Sequence, residues 1–434
     1  MDAVQHTVFL SGPERALEIA REAVELARGT AGTAELRAST RLGDAHAWAG
    51  DYAQAREEWA RAAHLGDSRE PSVLCERANA LLRAGELDAG RAAAYEAMVR
   101  SRQAESRVDL LDALAIALTA EVHLGNLPEA LDCAEQALAA TEGEAGLDRL
   151  DAIGSLAWVA ALVGDVDRVE EALARASALG TDLRMTVAGG LAAGMLALGR
   201  GRFQEAVDAF EAKTADTPMS PLAQTLSLRP FVPALVEAYA RVRRTDDARA
   251  LLAQFIEAAL QTEMPHVVVP TLRARGAAYD DEEAFDEALR WQADWGNRLE
   301  EGRTLLARGE LLRRRKQRAA ARHDLAAAVQ RFTQVGALSW RARAATELRA
   351  AGDRSAALPA PIARGPERLS QQEAAIVELV AEGLPNREIA SRLFLSVKTV
   401  EGHLTAVYGK LGIRSRGQLL AAMLGSAKDD DSPA

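Results

Sequence analysis

The sequence predicts an all-α chain, a solenoid of stacked helical hairpins followed by a small four-helix unit, and three observations carry that expectation. Apolar residues are 48% of the 434 residues while aromatics are only 4%, so burial rests on Ala, Leu and Val at helical spacing and almost no strand is expected. A six-residue pattern recurs through the first 250 positions. Beyond a Pro-containing break near residue 360 the patterning changes to short apolar stripes separated by tight corners. The chain is also longer than the about 100 to 200 residues of one ordinary domain, which a repeat array accommodates without a large globular core.

The recurring pattern is GDYAQA (50–55), GELDAG (85–90), GNLPEA (125–130), GDVDRV (164–169), GRFQEA (201–206) and RRTDDA (243–248). Their last residues, Ala55, Gly90, Ala130, Val169, Ala206 and Ala248, lie 35, 40, 39, 37 and 42 apart, and weaker echoes end at Ala288 and Ala320. A turn recurring at this period between apolar-periodic segments reads as helix, short turn, helix. The leading Gly suits a left-handed helix C-cap, where a side chain would clash. The small residue five positions on lets the second helix approach the first. Trp48, Trp59 and Tyr52 fall beside these turns, either as packing or as the wall of a ligand groove.

The copies resemble tetratricopeptide-like repeats and assign residues 1–350 to one helical array. Such arrays present a concave surface, so a protein, a peptide or a small-molecule effector is the expected partner there. The net charge of −11 argues against a general nucleic-acid coat protein, whose affinity comes from neutralising phosphates. Cys75 and Cys133 sit inside helical patterns and read as buried free thiols of a reducing compartment. The first residues, MDAVQHTVFLSGPER, lack a basic region and a long apolar stretch, and no run approaches the ~20 apolar residues of a membrane helix. A cytoplasmic protein is expected.

Pro359, Pro361, Gly365 and Pro366 end the array, and residues 351–368 read as a linker. Residues 369–425 form the next unit, and 426–434 a disordered tail. Between Arg364 and Gly425 eight basic residues face six acidic ones, a net of +2, so the acid of the chain lies elsewhere. In LSQQEAAIVELVAEG (369–383), Ser370 and Glu373 have capping-box spacing and Ile376, Leu379 and Val380 share a face. REIASRLF (387–394) turns Ile389, Ala390, Leu393 and Phe394 inward. The third helix, in LSVKTVEGHLTAVYGKL (395–411), starts at Ser396 as N-cap with Val397, Val400, Leu404, Val407 and Leu411 as its stripe. Its opposite face carries Lys398, Glu401, Gly402, Thr405 and Lys410. A last helix over 416–424 follows a capping box at Ser415 and Gln418 and has the stripe Leu419, Leu420 and Met423.

A tight corner between the second and third helices makes a helix-turn-helix, whose third helix fits a major groove. LSxxE, the EGLPNREIASRLFLSVKTVEGHL centre and the YGKLGIRSR exit closely resemble the LuxR-type DNA-binding domain. The resemblance implies that helix 397–411 reads DNA, that the last helix, through Leu419, Leu420 and Met423, pairs two domains on a two-fold related site, and that the partner is double-stranded promoter DNA bound by a homodimer. It places Lys398, Glu401, Gly402 and Thr405 at base edges and Arg387, Thr399, Lys410, Arg414, Ser415 and Arg416 at phosphates. His403 has two readings, donor to a phosphate or packing beside Val400 and Leu404. Glu401 can accept from cytosine N4 but repels phosphate, and Gly402 costs about 1 kcal/mol in mid-helix. Gly402 is either drift on a solvated face or a means of close approach. With few cationic readers, modest affinity per domain and dependence on pairing are expected.

Residues 308–352 resemble the segment preceding this domain in large ATP-binding LuxR regulators. No P-loop is present, since Gly409-Lys410 is followed by Leu411. The run Arg313-Arg314-Arg315-Lys316 with Arg318 reads as a solvated helix end or a contact to DNA, and Asp280-Asp281-Glu282-Glu283 as a helix start. The remaining histidines are scattered with no metal pair, no cofactor site is expected, and no hydrolase or redox motif suggests an enzyme. The sequence thus predicts a transcriptional regulator, with activation preferred by resemblance. A helical-repeat assembly scaffold whose terminal unit mainly dimerises is the alternative.

Overall fold

The computed structural model describes residues 12–29, 33–65, 69–142, 146–179, 183–216 and 231–353, then 373, 376, 377, 379, 380, 384–393, 395, 397–411 and 419. Among them every regular element is a helix. A leading helix α1 (Pro13–Ala27) precedes a series of antiparallel pairs: α2 (Thr33–Trp48) with α3 (Tyr52–Ala63), α4 (Pro71–Ala84) with α5 (Leu87–Gln103), α6 (Arg107–Leu124) with α7 (Leu127–Ala140), and α8 (Leu147–Val163) with α9 (Val166–Ala178). The series continues with α10 (Leu183–Gly199) and α11 (Phe203–Asp216), then α12 (Val232–Arg241) and α13 (Thr245–Ala253). After a short α14 (Ile256–Gln261) come α15 (Pro265–Tyr279) with α16 (Glu282–Trp295), α17 (Arg298–Arg314) with α18 (Arg318–Gln334), and a closing α19 (Leu338–Ala350).

The turns follow one geometry. Gly50, Gly85, Gly125, Gly164 and Gly201 have φ between 74° and 89°, the left-handed conformation that costs glycine least. In each, the next residue donates its N–H to the carbonyl five residues back, as Asn126 does to Glu121 at 2.8 Å, which satisfies the end of the first helix. The same bond closes four turns that lack glycine, where Glu105, Arg243, Asp280 and Lys316 take the left-handed position at φ 53°, 65°, 51° and 62°. This corrects the register of the weaker echoes. Five residues past Asp280 and Lys316 stand Phe285 and Ala321, 1% and 0% exposed, rather than Ala288 and Ala320.

The position five past each turn is a packing position throughout: Ala55, Ala130, Ala206 and Ala248 are fully buried, and a Cβ on Gly90 would come within 2.6 Å of Leu82. Elsewhere the small residue lies on the first helix and a ring on the second. A Cβ at Gly302 would stand 2.7 Å from the Phe332 ring, and one at Gly43 2.5 Å from Trp59. Trp59 is 5% exposed and its Nε1 donates to the Thr40 carbonyl and to Asp44, so it packs, as does the buried Tyr52. Trp48 is half-buried against α1. Cys75 and Cys133 are buried free thiols, pushed well up by burial.

The two charge runs meet. Asp281 caps α16 by accepting from Ala284 N–H at 3.2 Å, as a helix start requires. Arg313, Arg314 and Arg315 pair with Glu347, Asp280 and Glu282 of the flanking hairpins at 2.6, 2.7 and 2.9 Å. The array also turns back on itself. Asn297 donates to the carbonyls of Val122 and His123 at 3.2 and 2.8 Å. Ser339 donates to the Gly164 carbonyl, and Arg343 to that of Leu198. The ends of α6, α8 and α10 therefore touch the starts of α17 and α19, some 145 to 175 residues later, and enclose the inner helices α12 and α15.

Candidate nucleic-acid interface

Beyond the array the described residues include α20 (Asn386–Leu393) and α21 (Val397–Leu411). Pro385 precedes α20 and its carbonyl accepts from Glu388 and Ile389 N–H, so the first turn is tied at the point where proline cannot itself donate. Leu395 N–H bonds back to the Ala390 carbonyl at 2.8 Å. That bond ends α20 and sets the corner into α21 within three residues.

The inner faces form one small core of Ile376, Val377, Val380, Ile389, Ala390, Val400, Leu404, Val407 and Leu419, none more than 5% exposed. The 3, 4, 3 spacing of Val400, His403/Leu404 and Val407 turns one stripe of α21 inward. The opposite stripe is outward: Lys398, Glu401, Gly402 and Thr405 are all exposed, and a Cβ on Gly402 would meet nothing within 4 Å. Thr405 Oγ1 donates to the Glu401 carbonyl at 2.8 Å, which leaves its lone pairs outward. Arg387 is exposed in the first turn of α20 and Arg392 at its end. Thr399 is half-buried.

Three residues stand where the sequence reading did not put them. Val397, counted in the apolar stripe, is 40% exposed, because it lies one residue into the helix and precedes the first inward turn. His403, given a phosphate contact, is 8% exposed and shares the inward arc with Val400 and Leu404, so the packing reading holds. Leu419, assigned to pairing, is fully buried in the domain's own core and offers no surface to a second copy. The side chain of Lys410 and residues Arg414, Ser415, Arg416, Leu420 and Met423, with the capping boxes at Ser370 and Ser415, lie outside the described residues. Among the described residues no helix is long and apolar enough to cross a membrane, and no cluster of three or more His, Cys, Asp or Glu could hold a metal ion.

The sequence reading missed one constellation, inside the array. His123 and His266 lie ring to ring, centroids 4.6 Å apart and planes tilted by 52°, beside a ring of buried charges. Arg273 reaches Glu237 at 2.8 Å and Glu300 at 2.7 Å, and Arg303 reaches Glu300 at 2.8 Å and Glu237 at 3.4 Å. Burial pushes His123 down to about 4, a nearby Glu300 opposing it, and His266 well below the usual histidine range. Burial would raise Glu300, yet Arg273 and Arg303 hold it at about 2. A polar residue facing inward on each of four inner helices was the available signal, but nothing local brings positions 123 and 266 together.

Comparison with known proteins agrees on the terminal unit. Residues 367–423 match the family described as bacterial regulatory proteins, luxR family. The HTH-type transcriptional regulator Rv0890c of Mycobacterium tuberculosis is 54% identical over 66 residues, 15% of this chain and 8% of that protein. The oxygen regulatory protein NreC of Staphylococcus aureus is 50% identical over 52 residues, 12% of this chain and 24% of NreC. The chain thus spans under a tenth of the mycobacterial relative and a quarter of the staphylococcal one. Among solved structures, a Rap protein complexed with competence and sporulation factor aligns over 78% of this chain and 93% of its own, with 14% identity and a TM-score of 0.47. The TPR2AB domain of yeast Sti1 aligns over 74% and 100% with 14% identity and a TM-score of 0.24. The array's fold rests on its own hairpins. Residues 367–423, following that array, are a helix-turn-helix domain of the LuxR family.

Proposed function

We propose that the protein is a sequence-specific DNA-binding transcriptional regulator, an activator, in which α21 enters the major groove and the helical array receives the signal. The observation that carries this is the division of α21: its inward stripe is sealed in the domain core while Lys398, Glu401, Gly402 and Thr405 form one exposed stripe. A helix held by one face and open on the other can be inserted in a groove without unfolding its domain. Lys398 donates to guanine, Glu401 accepts from cytosine N4, and Gly402 lets the helix axis approach. Arg387, Thr399, Lys410, Arg414, Ser415 and Arg416 fix the register on phosphates.

The division into an array over 1–350, a linker over 351–368, a DNA-binding unit over 369–425 and a tail over 426–434 belongs to this reading. So does action as a homodimer in the cytoplasm. With Leu419 buried in the core, Leu420 and Met423 are the residues of the pairing stripe left to join two copies. The test is duplex binding by the full chain and by a variant with Lys398, Thr399 and Arg416 replaced by Ala. Loss of binding in the variant, with its helix content unchanged, supports the reading; equal binding overturns it. Run-off transcription from the bound fragment separates activation from repression.

A further inference from the structure

The turn of the array back on itself encloses a cavity of about 40 Å³ between α6, α8, α10, α12, α15 and α17. By the ~10 to 15 Å³ that one water centre needs, the chamber holds roughly three waters. Its polar wall is His123, His266, Arg273, Trp295, Asn297 and the Glu300/Arg303 pair, and its apolar wall is Trp158, Leu162 and Met195. His123, His266, Arg273 and Arg303 are each no more than 8% exposed.

The hydrogen bonding of this wall is incomplete, chiefly on the donor side. Nη2 of Arg273, Nε of Arg303 and Nε1 of Trp295 are buried N–H donors without an acceptor, and His123 Nε2 and His266 Nδ1 are also without partners. The carboxylates nearby are already ion-paired, Glu300 and Glu237 each with Arg273 and Arg303, and Glu300 Oε2, which makes no hydrogen bond, lies 2.7 Å from Arg273 Nη1. A buried donor left unmade is costly, and several converging on one chamber call for an acceptor-rich occupant. The charges add a second condition. Arg273 and Arg303 balance Glu237 and Glu300, so an entering anion finds no spare countercharge and has to arrive with a proton. The paired, neutral histidines are the groups able to take one. The charged groups beside them are Arg273 from α15 and Glu300 and Arg303 from α17, with Glu237 of α12 paired to both arginines; the walls contributed by α8, α10 and α16 are Trp158, Leu162, Met195 and Trp295.

We propose that this chamber is a binding site for a small monocarboxylic acid of two or three carbons, the effector site of the regulator proposed above. The carboxylate accepts from Arg273 Nη2 and Trp295 Nε1, the short alkyl end lies against Trp158, Leu162 and Met195, and one proton is taken up by the His123–His266 pair. The end of α6 and the start of α17 close the chamber through Asn297, so an occupant held by Arg273 and Trp295 lies beside the contact that sets the superhelix. Occupancy therefore biases the curvature of the array.

The test uses the full chain with acetate as probe and acetamide as its neutral isostere, read by equilibrium dialysis of the labelled compounds. One acetate per chain is expected, bound at least tenfold more tightly than acetamide and more tightly at pH 6 than at pH 8. Trp295→Phe keeps the ring and removes the donor, and His266→Asn removes the proton acceptor. Each should weaken acetate about tenfold with ellipticity unchanged, and His266→Asn should abolish the pH dependence. Acetate bound equally by parent and variants, acetamide bound as well as acetate, or no acetate bound at all overturns the proposal and leaves a hydrated structural network. Duplex binding by the same preparations separates the two readings. DNA bound without acetate sinks the chamber alone, and acetate bound without DNA sinks the regulator alone.

Discussion

Replacing Arg273 with Met removes the cation that joins Glu237 and Glu300 while keeping most of its length and apolar volume. Arg273 is 0% exposed, and its loss leaves Arg303 as the cation still paired to Glu237 and Glu300. The magnitude follows from Glu300, whose carboxyl is ordinarily near 4.5 and is held at about 2 by Arg273 and Arg303 against the upward push of burial. At 1.36 kcal/mol per unit that depression corresponds to about 3 kcal/mol for the two arginines together, and the ~3 to 5 kcal/mol for breaking one side of a buried ion pair sets the scale for losing Arg273 alone. The stability is present above the unfolded carboxyl value and disappears as pH falls from 4.5 towards 2, so the cost of the substitution is full at pH 7 and shrinks in acid. Urea unfolding of the full chain, followed by ellipticity, should show parent and Arg273→Met separated by about 3 kcal/mol at pH 7 and converging below pH 4.5. Adding Glu300→Gln to Arg273→Met should recover part of the loss, because the stranded charge is gone. A single variant within 0.5 kcal/mol of the parent at pH 7, or a gap that does not narrow in acid, would refute the electrostatic account of this ring.

Further expectations concern other parts of the molecule. His123, pushed down to about 4 by burial, stays neutral in the fold while the unfolded chain protonates near 6.5, so stability is full above 6.5 and about 3 kcal/mol is lost as pH falls to 4; His123→Leu should flatten that slope in a pH series of urea midpoints. Gly302→Ala sets a Cβ at 2.7 Å from the Phe332 ring, and an overpacking cost of about 1 to 3 kcal/mol should outweigh the ~1 kcal/mol gained in helix propensity, lowering the thermal midpoint. Arg387→Ala, losing one phosphate contact, should weaken duplex binding evenly across sequences and reduce the slope of log affinity against log salt by about one.

The hairpins were legible because their determinants are local. A glycine at φ near 80° and a small residue five positions on recur in the chain as they do in space, and they marked Gly50, Gly85, Gly125, Gly164 and Gly201 correctly. The register faltered at Asp280 and Lys316, where charged residues accept the same strained turn and leave no glycine to read. In the terminal unit, periodicity was enough to set Val400, Leu404 and Val407 inward and Lys398, Glu401 and Thr405 outward. It failed at the helix end, where Val397 has no turn before it to pack against, and at Leu419, where an apolar stripe does not say whether its own core or a second copy covers it. The His123–His266 contact and its ring of charge depend on the superhelix closing through Asn297. That is a property of many small rotations between hairpins and has no signature at any one position.

Selection of random duplex DNA by the full chain, in parallel with its Lys398→Ala variant and repeated across salt concentrations, tests most directly whether the outward face of α21 reads sequence. The account predicts one enriched motif with two-fold symmetry for the parent, and for the variant a loss of preference at one position of each half-site, worth about 1 to 3 kcal/mol. No enrichment by the parent, or the same motif recovered equally well by the variant, would contradict it.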